Sequence, residues 1–329
     1  MTKIDIFSGF LGAGKTTLIK KLIQEAYQGE KLVLIENEFG EIGIDGGFLQ
    51  DAGIQITEMN SGCICCSLVG DFGKALRQVM EQYHPDRILI EPSGVGKLSD
   101  VIRAVQGLEM EEAVLNGFTT VADAGKCKMY MKNFGEFFND QIEHASSIVL
   151  SRTAGMSQAK LEAVVTLLRE HNQTASIITT PWEQLTGAQI LETMERKNTL
   201  QAELALLEEE AHHHHDHEHD EDCCCGHDHD HHHHHHHADE VFTSWGVETT
   251  RQFTREEIED ILSQFTSGLY GAVLRAKGIV AGADGQWIHF DYVPGEENVR
   301  TGAASTIGRL CVIGSKIDEK ALAALFQVK

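Results

Sequence analysis

The chain has 329 residues, 42% of them hydrophobic, and a formal net charge of −23. That is enough apolar material for one large domain with an appendage, or for two domains. The acidic balance argues against a nucleic-acid partner, whose phosphates call for a basic surface. Much of the charge lies between Glu208 and Glu240, so the remainder is less acidic than the total. Met1-Thr2-Lys3-Ile4-Asp5 lacks the basic start and apolar run of a signal peptide. No run of 18 apolar residues occurs, so no membrane span is expected. Most of the eight cysteines sit in two clusters, Cys63/Cys65/Cys66 and Cys223/Cys224/Cys225. In a chain without a secretory signal such clusters read as metal or redox sites rather than disulfides, which makes the cytoplasm the expected compartment.

In chain order, Ile4–Phe7, Lys31–Ile35, Arg87–Ile90, Phe118–Val121, Ile148–Leu150 and Ile177–Thr179 read as buried strands. Amphipathic stretches such as Thr16–Tyr27, Phe72–Tyr83 and Gln158–His171 separate them. This alternation predicts an α/β class: a doubly wound sheet with helices on both faces. Leu200–Glu210 reads as a helix running into low complexity. From Ala211 to Ala238 the chain is almost entirely His, Asp, Glu and Cys, and holds fifteen of the nineteen histidines. Without apolar periodicity it cannot bury a core and is expected to be a linker. Beyond it, strands are predicted at Val241–Thr250, Gly271–Ile279, Trp287–Val293 and Arg309–Ile313, with helices at Thr254–Phe265 and Asp318–Phe326. Thr254, Glu256 and Glu257 suit a capped helix start. The expected domains are therefore a nucleotide-binding unit over 1–199, a linker over 200–239 and a small α+β domain over 240–329.

Gly9-Phe10-Leu11-Gly12-Ala13-Gly14-Lys15-Thr16 matches G-x-x-x-x-G-K-[ST] in full, between a predicted strand and a predicted helix. Glycines let backbone N–H groups turn inward around phosphates, and the helix N-terminus adds its positive dipole end. The expected binding set is Gly9, Gly12, Ala13, Gly14, Lys15, Thr16 and Thr17. Lys15 is expected to reach the β- and γ-phosphates and Thr16 to ligate Mg²⁺. Ile88-Leu89-Ile90-Glu91-Pro92-Ser93-Gly94 is an apolar strand ending in an acid. Beside a phosphate loop, Glu91 suits the Mg²⁺ shell or the orientation of an attacking water. Lys15 and Glu91 are thus the catalytic candidates.

Gly62-Cys63-Ile64-Cys65-Cys66-Ser67 places three thiols within four residues. Thiolates are soft ligands suited to Zn²⁺, Cu(I) or Co(II). Three of them leave one position for water, a fourth side chain or a transfer partner, which suits a carrier; the bland reading is buried thiols or a redox pair.

Phosphate loop, Glu36-Asn37-Glu38-Phe39-Gly40, Cys63-Ile64-Cys65-Cys66 and Glu91-Pro92-Ser93-Gly94 follow one another in that order. Together they resemble the CobW-type family of GTP-dependent metallochaperones, relatives of the urease and hydrogenase maturation GTPases. The resemblance extends through the histidine-rich stretch into the C-terminal α+β domain. It implies that Mg²⁺ and GTP reorganise switch segments so that Cys63, Cys65 and Cys66 form a high-affinity metal site, which hydrolysis loosens. It also implies that Glu36 or Glu38 sits near Mg²⁺ or the hydrolytic water and that Glu91 is the Walker-B-like acid. The cargo it suggests is Zn²⁺, followed by Co²⁺ or Ni²⁺. The partner is a client metalloprotein, with no nucleic acid and no membrane involved, and a homodimer is allowed. Two rivals stand beside this reading: a metal buffer with weak NTPase activity, and an ATP-dependent kinase or ligase.

One departure bears on the base. Where the family reads guanine with Asn-Lys-x-Asp after a strand, this chain has Ser151-Arg152-Thr153-Ala154. Losing the aspartate relaxes base choice and keeps ATP open, with Arg152 left to stack on the base. His212–His215, His217, His219, His227, His229 and His231–His237 read as an exchangeable metal reservoir rather than one defined site. His84, His144, His171 and His289 read as surface or packing residues, and Cys127 and Cys311 as buried thiols. Trp182, Trp245 and Trp287 read as core or interface anchors.

Overall fold

The computed structural model describes residues 1–36, 55–58, 69–108, 112–195 and 243–328. They fall into two units, Met1–Lys197 and Asn198–Lys329. Among the described residues, no helix is long and apolar enough to cross a membrane.

In the first unit seven strands form a wholly parallel sheet: β1 (Thr2–Ser8), β2 (Leu32–Glu36), β3 (Gln55–Glu58), β4 (Arg87–Glu91), β5 (Ala113–Asp123), β6 (Ser147–Ser151) and β7 (Ser176–Ile178). Their spatial order is β3-β2-β4-β1-β5-β6-β7. The inner strands are buried along most of their length because helices cover both faces, as parallel sheets require. Side chains alternate across each strand, so Ile4, Ile6, Val33, Ile35, Ile88, Ile90, Ile148 and Leu150 share one buried face. Leu76, Val101, Phe138, Ile142 and Leu168 pack there from the helices Val69–Tyr83, Leu98–Gln106, Cys127–Glu143 and Gln158–His171. Helix α1 (Lys15–Glu25) instead packs beside the helix Gly187–Met194. The doubly wound α/β architecture expected from the sequence is therefore the observed one.

The predicted strands at 4–7, 31–35, 87–90, 118–121, 148–150 and 177–179 correspond to β1, β2, β4, β5, β6 and β7, within two residues at their ends except that β5 begins five residues earlier. Strand β3, Gln-Ile-Thr-Glu, is too short and polar to announce itself. Chain order and spatial order diverge beside β1: β2 and β3 lie beyond β4 on one side, and β5 adjoins β1 on the other. Ligands of open α/β sheets bind at such a reversal, beyond the carboxyl ends of the strands.

The second unit is a sheet of order β12-β11-β10-β13-β8, with β9 (Gln252–Phe253) added parallel to β10. Its strands are β8 (Thr243–Thr249), β10 (Ala272–Gly282), β11 (Trp287–Val293), β12 (Glu296–Gly302) and β13 (Gly308–Ser315). The helix Arg255–Ser263 starts with the predicted cap: Glu257 N–H donates to Thr254 Oγ1 at 3.1 Å, and Thr254 N–H to Glu257 Oε2 at 3.4 Å. Phe326, beyond the helix Glu319–Leu325, is fully buried and stacks on Trp245 with centroids 5.9 Å apart. Trp245 and Trp287 are thus core residues, as read. His84 and His144 are exposed; His171 contacts Glu143, and His289 hydrogen-bonds the Ala303 carbonyl.

Cys127 and Cys311 are both buried and, among the described residues, form no disulfide. Burial, helped by the charge of Asp123, pushes the Cys127 thiol up to about 12. Its folded-state value exceeds the unfolded one, so the stabilisation is complete below the unfolded pKa and is lost as pH rises toward 12. Native protein is expected to resist iodoacetamide at Cys127 at pH 8 and to be alkylated there once denatured, read by mass spectrometry of the peptide.

Candidate nucleotide site

The loop 9–14 joins the end of β1 to the start of α1. Two of its glycines are required sterically. Gly9 has φ +143°, and a Cβ there would lie 2.3 Å from the Val121 carbonyl oxygen of neighbouring β5. Gly14, at φ +107°, sits under the Trp182 ring, 3.3 Å from where a Cβ would be. A side chain at Gly9 would force the loop away from the sheet, and one at Gly14 would be strained at its positive φ and press on the Trp182 ring. No side chain caps α1. The first N–H groups of a helix have no carbonyl one turn back, so its dipole end remains available to an anion.

Lys15 is 9% exposed. Its Nζ donates to the Gly9 carbonyl at 3.1 Å and lies 3.9 Å from Glu91 Oε1. Thr16 Oγ1 donates to both Glu91 oxygens, at 3.1 and 3.3 Å. The acid reaches the loop because β4 is the parallel neighbour of β1, with Ile90 opposite Ile6. Glu36 ends β2 directly opposite Glu91. The sheet thus brings Lys15, Thr16 and Glu91, three of the residues singled out from sequence, into one cluster.

The turn after Glu91 runs close under the loop: a Cβ on Gly94 would come within 2.8 Å of the Leu11 nitrogen. Gln141, fully buried, holds that turn by donating Nε2 to the carbonyls of Gly94 and Gly96, at 3.1 and 2.8 Å. Sequence reasoning assigned no role to Gln141. Its side-chain bonds cross 45 to 47 residues of chain, and a lone glutamine in a helix carries no sign of that.

A cavity of about 210 Å³ adjoins the loop. Ala13, Gly14 and Thr17 line it from the loop side, residues 151–154 from the end of β6, and Pro181, Trp182 and Glu183 from the segment after β7. Arg152, at φ +57°, bonds Asp123 and donates to the Gly12 carbonyl at 2.8 Å. Its guanidinium is therefore held through its edge by the loop and by the end of β5, an arrangement compatible with the base stacking expected of it, since stacking uses the planar face. Trp182 is half-buried on the cavity wall, with Nε1 donating to the Leu150 carbonyl at 2.9 Å. The expected anchor is a wall of the site. Glu38, Cys63, Cys65 and Cys66, and the histidine-rich stretch, lie outside the described residues.

A parallel sheet whose first strand feeds a glycine loop and helix, with an acid on the adjacent strand, defines a P-loop nucleoside triphosphatase fold. The family follows from direct comparison. Residues 3–179 match the CobW/HypB/UreG nucleotide-binding domain, and residues 242–328 the cobalamin synthesis protein CobW C-terminal domain. The chain belongs to the CobW/HypB/UreG family.

It is 32% identical over 188 residues to the zinc chaperone CobW of Sinorhizobium sp, covering 48% of this chain and 53% of that protein. It is 34% identical over 154 residues to the zinc chaperone YeiR of Escherichia coli K12, covering 46% and 47%. The chain thus matches about half the length of these relatives. The crystal structure of the Zn(II)-bound YjiA GTPase from E. coli aligns over 99% of this chain and 98% of that one, with a TM-score of 0.45 and 20% identity.

Proposed function

We propose that this protein is a GTP-hydrolysing metallochaperone that loads a transition metal, zinc first among them, into a client metalloprotein. The observation that carries the nucleotide half is the Lys15–Thr16–Glu91 cluster at the mouth of the phosphate loop. Loop N–H groups and Lys15 bind and neutralise the β- and γ-phosphate oxygens. Glu91, or Glu38 upstream, orients the water that attacks the γ-phosphorus. Mg²⁺ fits this donor set, because a hydroxyl and a carboxylate are the hard oxygens it prefers. Thr16 and Glu91 would hold it, and when bound it supplies charge compensation to the phosphates.

The cargo half rests on sequence and kinship. Cys63, Cys65 and Cys66 are the soft ligands proposed to hold zinc as cargo, and the relatives are named zinc chaperones. The histidine-rich stretch supplies the reservoir.

Zinc titration of the protein lacking residues 211–238, with and without a non-hydrolysable GTP analogue, tests the coupling. An affinity gain of roughly 5- to 150-fold with nucleotide is expected. It should vanish when Cys63, Cys65 and Cys66 are all replaced by serine. An affinity indifferent to nucleotide would favour the metal buffer instead.

A further inference from the structure

The nucleotide cavity lacks the aspartate that reads guanine in the usual Asn-Lys-x-Asp segment, since Ala154 occupies the corresponding position. It nevertheless contains a carboxylate. Glu183 lines the same cavity and is the one acidic residue among its lining. Glu183 is exposed and, among the described residues, makes no hydrogen bond or ion pair, while Arg152, also on the lining, is engaged by Asp123 and the Gly12 carbonyl.

Its backbone is well held. β6 and β7 are parallel neighbours, so the segments that follow them emerge side by side at the same sheet edge. Residues 182–184 form a single 3₁₀ turn, closed by Gln184 N–H to the Pro181 carbonyl at 3.0 Å and Leu185 N–H to the Trp182 carbonyl at 3.2 Å. The Trp182 indole ties that turn to β6 through the Leu150 carbonyl. Glu183 is thereby presented from a fixed turn, and a preorganised polar group gives more selectivity than a mobile one.

A second polar group on the lining is buried without a partner. Thr153, also on the cavity lining, is 6% exposed and its hydroxyl has no hydrogen-bond partner. A buried polar atom without a partner is costly, and a ligand that bonds it recovers the cost.

We infer that Glu183, contributed by the segment after β7, reads the base in place of the missing aspartate and makes the site select guanine, with the Thr153 hydroxyl as an auxiliary contact. The inference rests on the nucleotide-binding reading above. Guanine presents two adjacent donors, N1–H and the 2-amino group, which one carboxylate can accept together. Adenine presents the N1 lone pair beside a single amino group, so the same carboxylate meets an acceptor and repels it. Glu183 is thus a specificity residue, and the departure at residues 151–154 moves the reader to another loop rather than abolishing it.

Competition binding on the full chain tests this with GDP, ADP, IDP and XDP, which share the diphosphate and differ at the base. Wild type is expected to prefer GDP over ADP by on the order of 100-fold or more, and over IDP by about 10-fold, since inosine lacks the 2-amino group. Glu183→Gln is expected to lose about 10- to 100-fold for GDP and to gain for XDP, whose 2-oxo group accepts from the amide. ADP binding should stay unchanged, which shows the phosphate site intact. Thr153→Val is expected to weaken GDP by a few-fold only.

Wild type preferring ADP would overturn the inference, as would a GDP-to-ADP ratio that survives Glu183→Gln. Both results would leave nucleotide binding itself standing. Failure of wild type to bind any of the four would overturn both readings.

Discussion

Lys15→Ala is expected to lower the rate of GTP hydrolysis by at least about 10²- to 10³-fold, the usual cost of removing one preorganised charge donor from a transition state. The loop should also cease to be stabilised by GDP in a thermal melt. The geometry explains the size. Lys15 is held between the Gly9 carbonyl and Glu91 before any phosphate arrives, so its charge is in place and little reorganisation remains. Alanine removes that charge while leaving the glycine-built turn unchanged.

Glu91→Gln separates two roles in the same assay. It keeps the size of the side chain and its contact with Thr16 but removes the negative charge. A fall in kcat with KM retained would place Glu91 in the step that orients water, whereas a rise in KM would place it in nucleotide and Mg²⁺ binding. Phosphate release measured under saturating Mg²⁺ distinguishes these. Turnover by Lys15→Ala within a few-fold of wild type would remove the phosphate loop from the chemistry.

What could be read in advance follows from how local each feature is. The phosphate loop was legible because strand, glycines, lysine and helix are consecutive in sequence. Glu91 was legible because it ends an apolar strand. That β4 is next to β1, so that Glu91 meets Thr16, comes from sheet order. The cavity beside the loop was the least legible part of the described site. Its walls come from Ala13, Gly14 and Thr17, from residues 151–154 and from residues 181–183, the last two brought together by the pairing of β6 with β7.

Trp182 read as an apolar anchor because a tryptophan alone does not declare which wall it forms. That Arg152 is held by Asp123 and the Gly12 carbonyl depends on tertiary contacts and could not be read from the sequence. In the C-terminal unit β12 escaped notice for a different reason. Glu296–Gly302 is an exposed edge strand with charged and polar residues on both faces, so the apolar alternation that marks a strand is absent. The helix Cys127–Glu143 contains Gly135 and a non-helical Phe134, which interrupt its pattern.

The second large effect concerns stability and centres on Arg87, at the amino end of β4. Its side chain is 1% exposed and surrounded by carboxylates. It bonds Asp5, donates Nε to Glu30 Oε2 at 2.6 Å, and donates Nη2 to Glu195 Oε1 at 3.1 Å. The Tyr27 ring lies 4.5 Å from its Cζ. Burial works against the charge, but the hydrogen bonds Arg87 donates to Glu30 and the field of Asp5 outweigh it and raise the Arg87 pKa. Asn116 Nδ2 donates to Asp5 at 2.8 Å, completing the network.

Arg87→Met fills the volume but leaves Asp5 buried without its cation, whereas Glu195 keeps Lys3 Nζ at 3.3 Å. Breaking a buried pair from one side costs about 3–5 kcal/mol. At roughly 2–4 °C per kcal/mol for a unit of this size, the melting temperature should fall by about 10 °C.

The pH dependence carries a sign that identifies the cause. Burial already raises the Asp5 carboxyl above its ordinary value, against the lowering influence of Arg87. Removing Arg87 raises it further. A carboxyl whose folded pKa lies above its unfolded one favours the fold below the unfolded value and loses that contribution as pH rises through the folded value. The deficit of Arg87→Met should therefore be largest at pH 7 and shrink as pH falls toward the unfolded aspartate value near about 4. Adding Asp5→Asn to Arg87→Met should recover part of the loss at pH 7, because the stranded charge goes with it. A deficit of equal size at both pH values, with no recovery in the double variant, would mean that Arg87 stabilises the sheet through packing against Tyr27 rather than through its carboxylates.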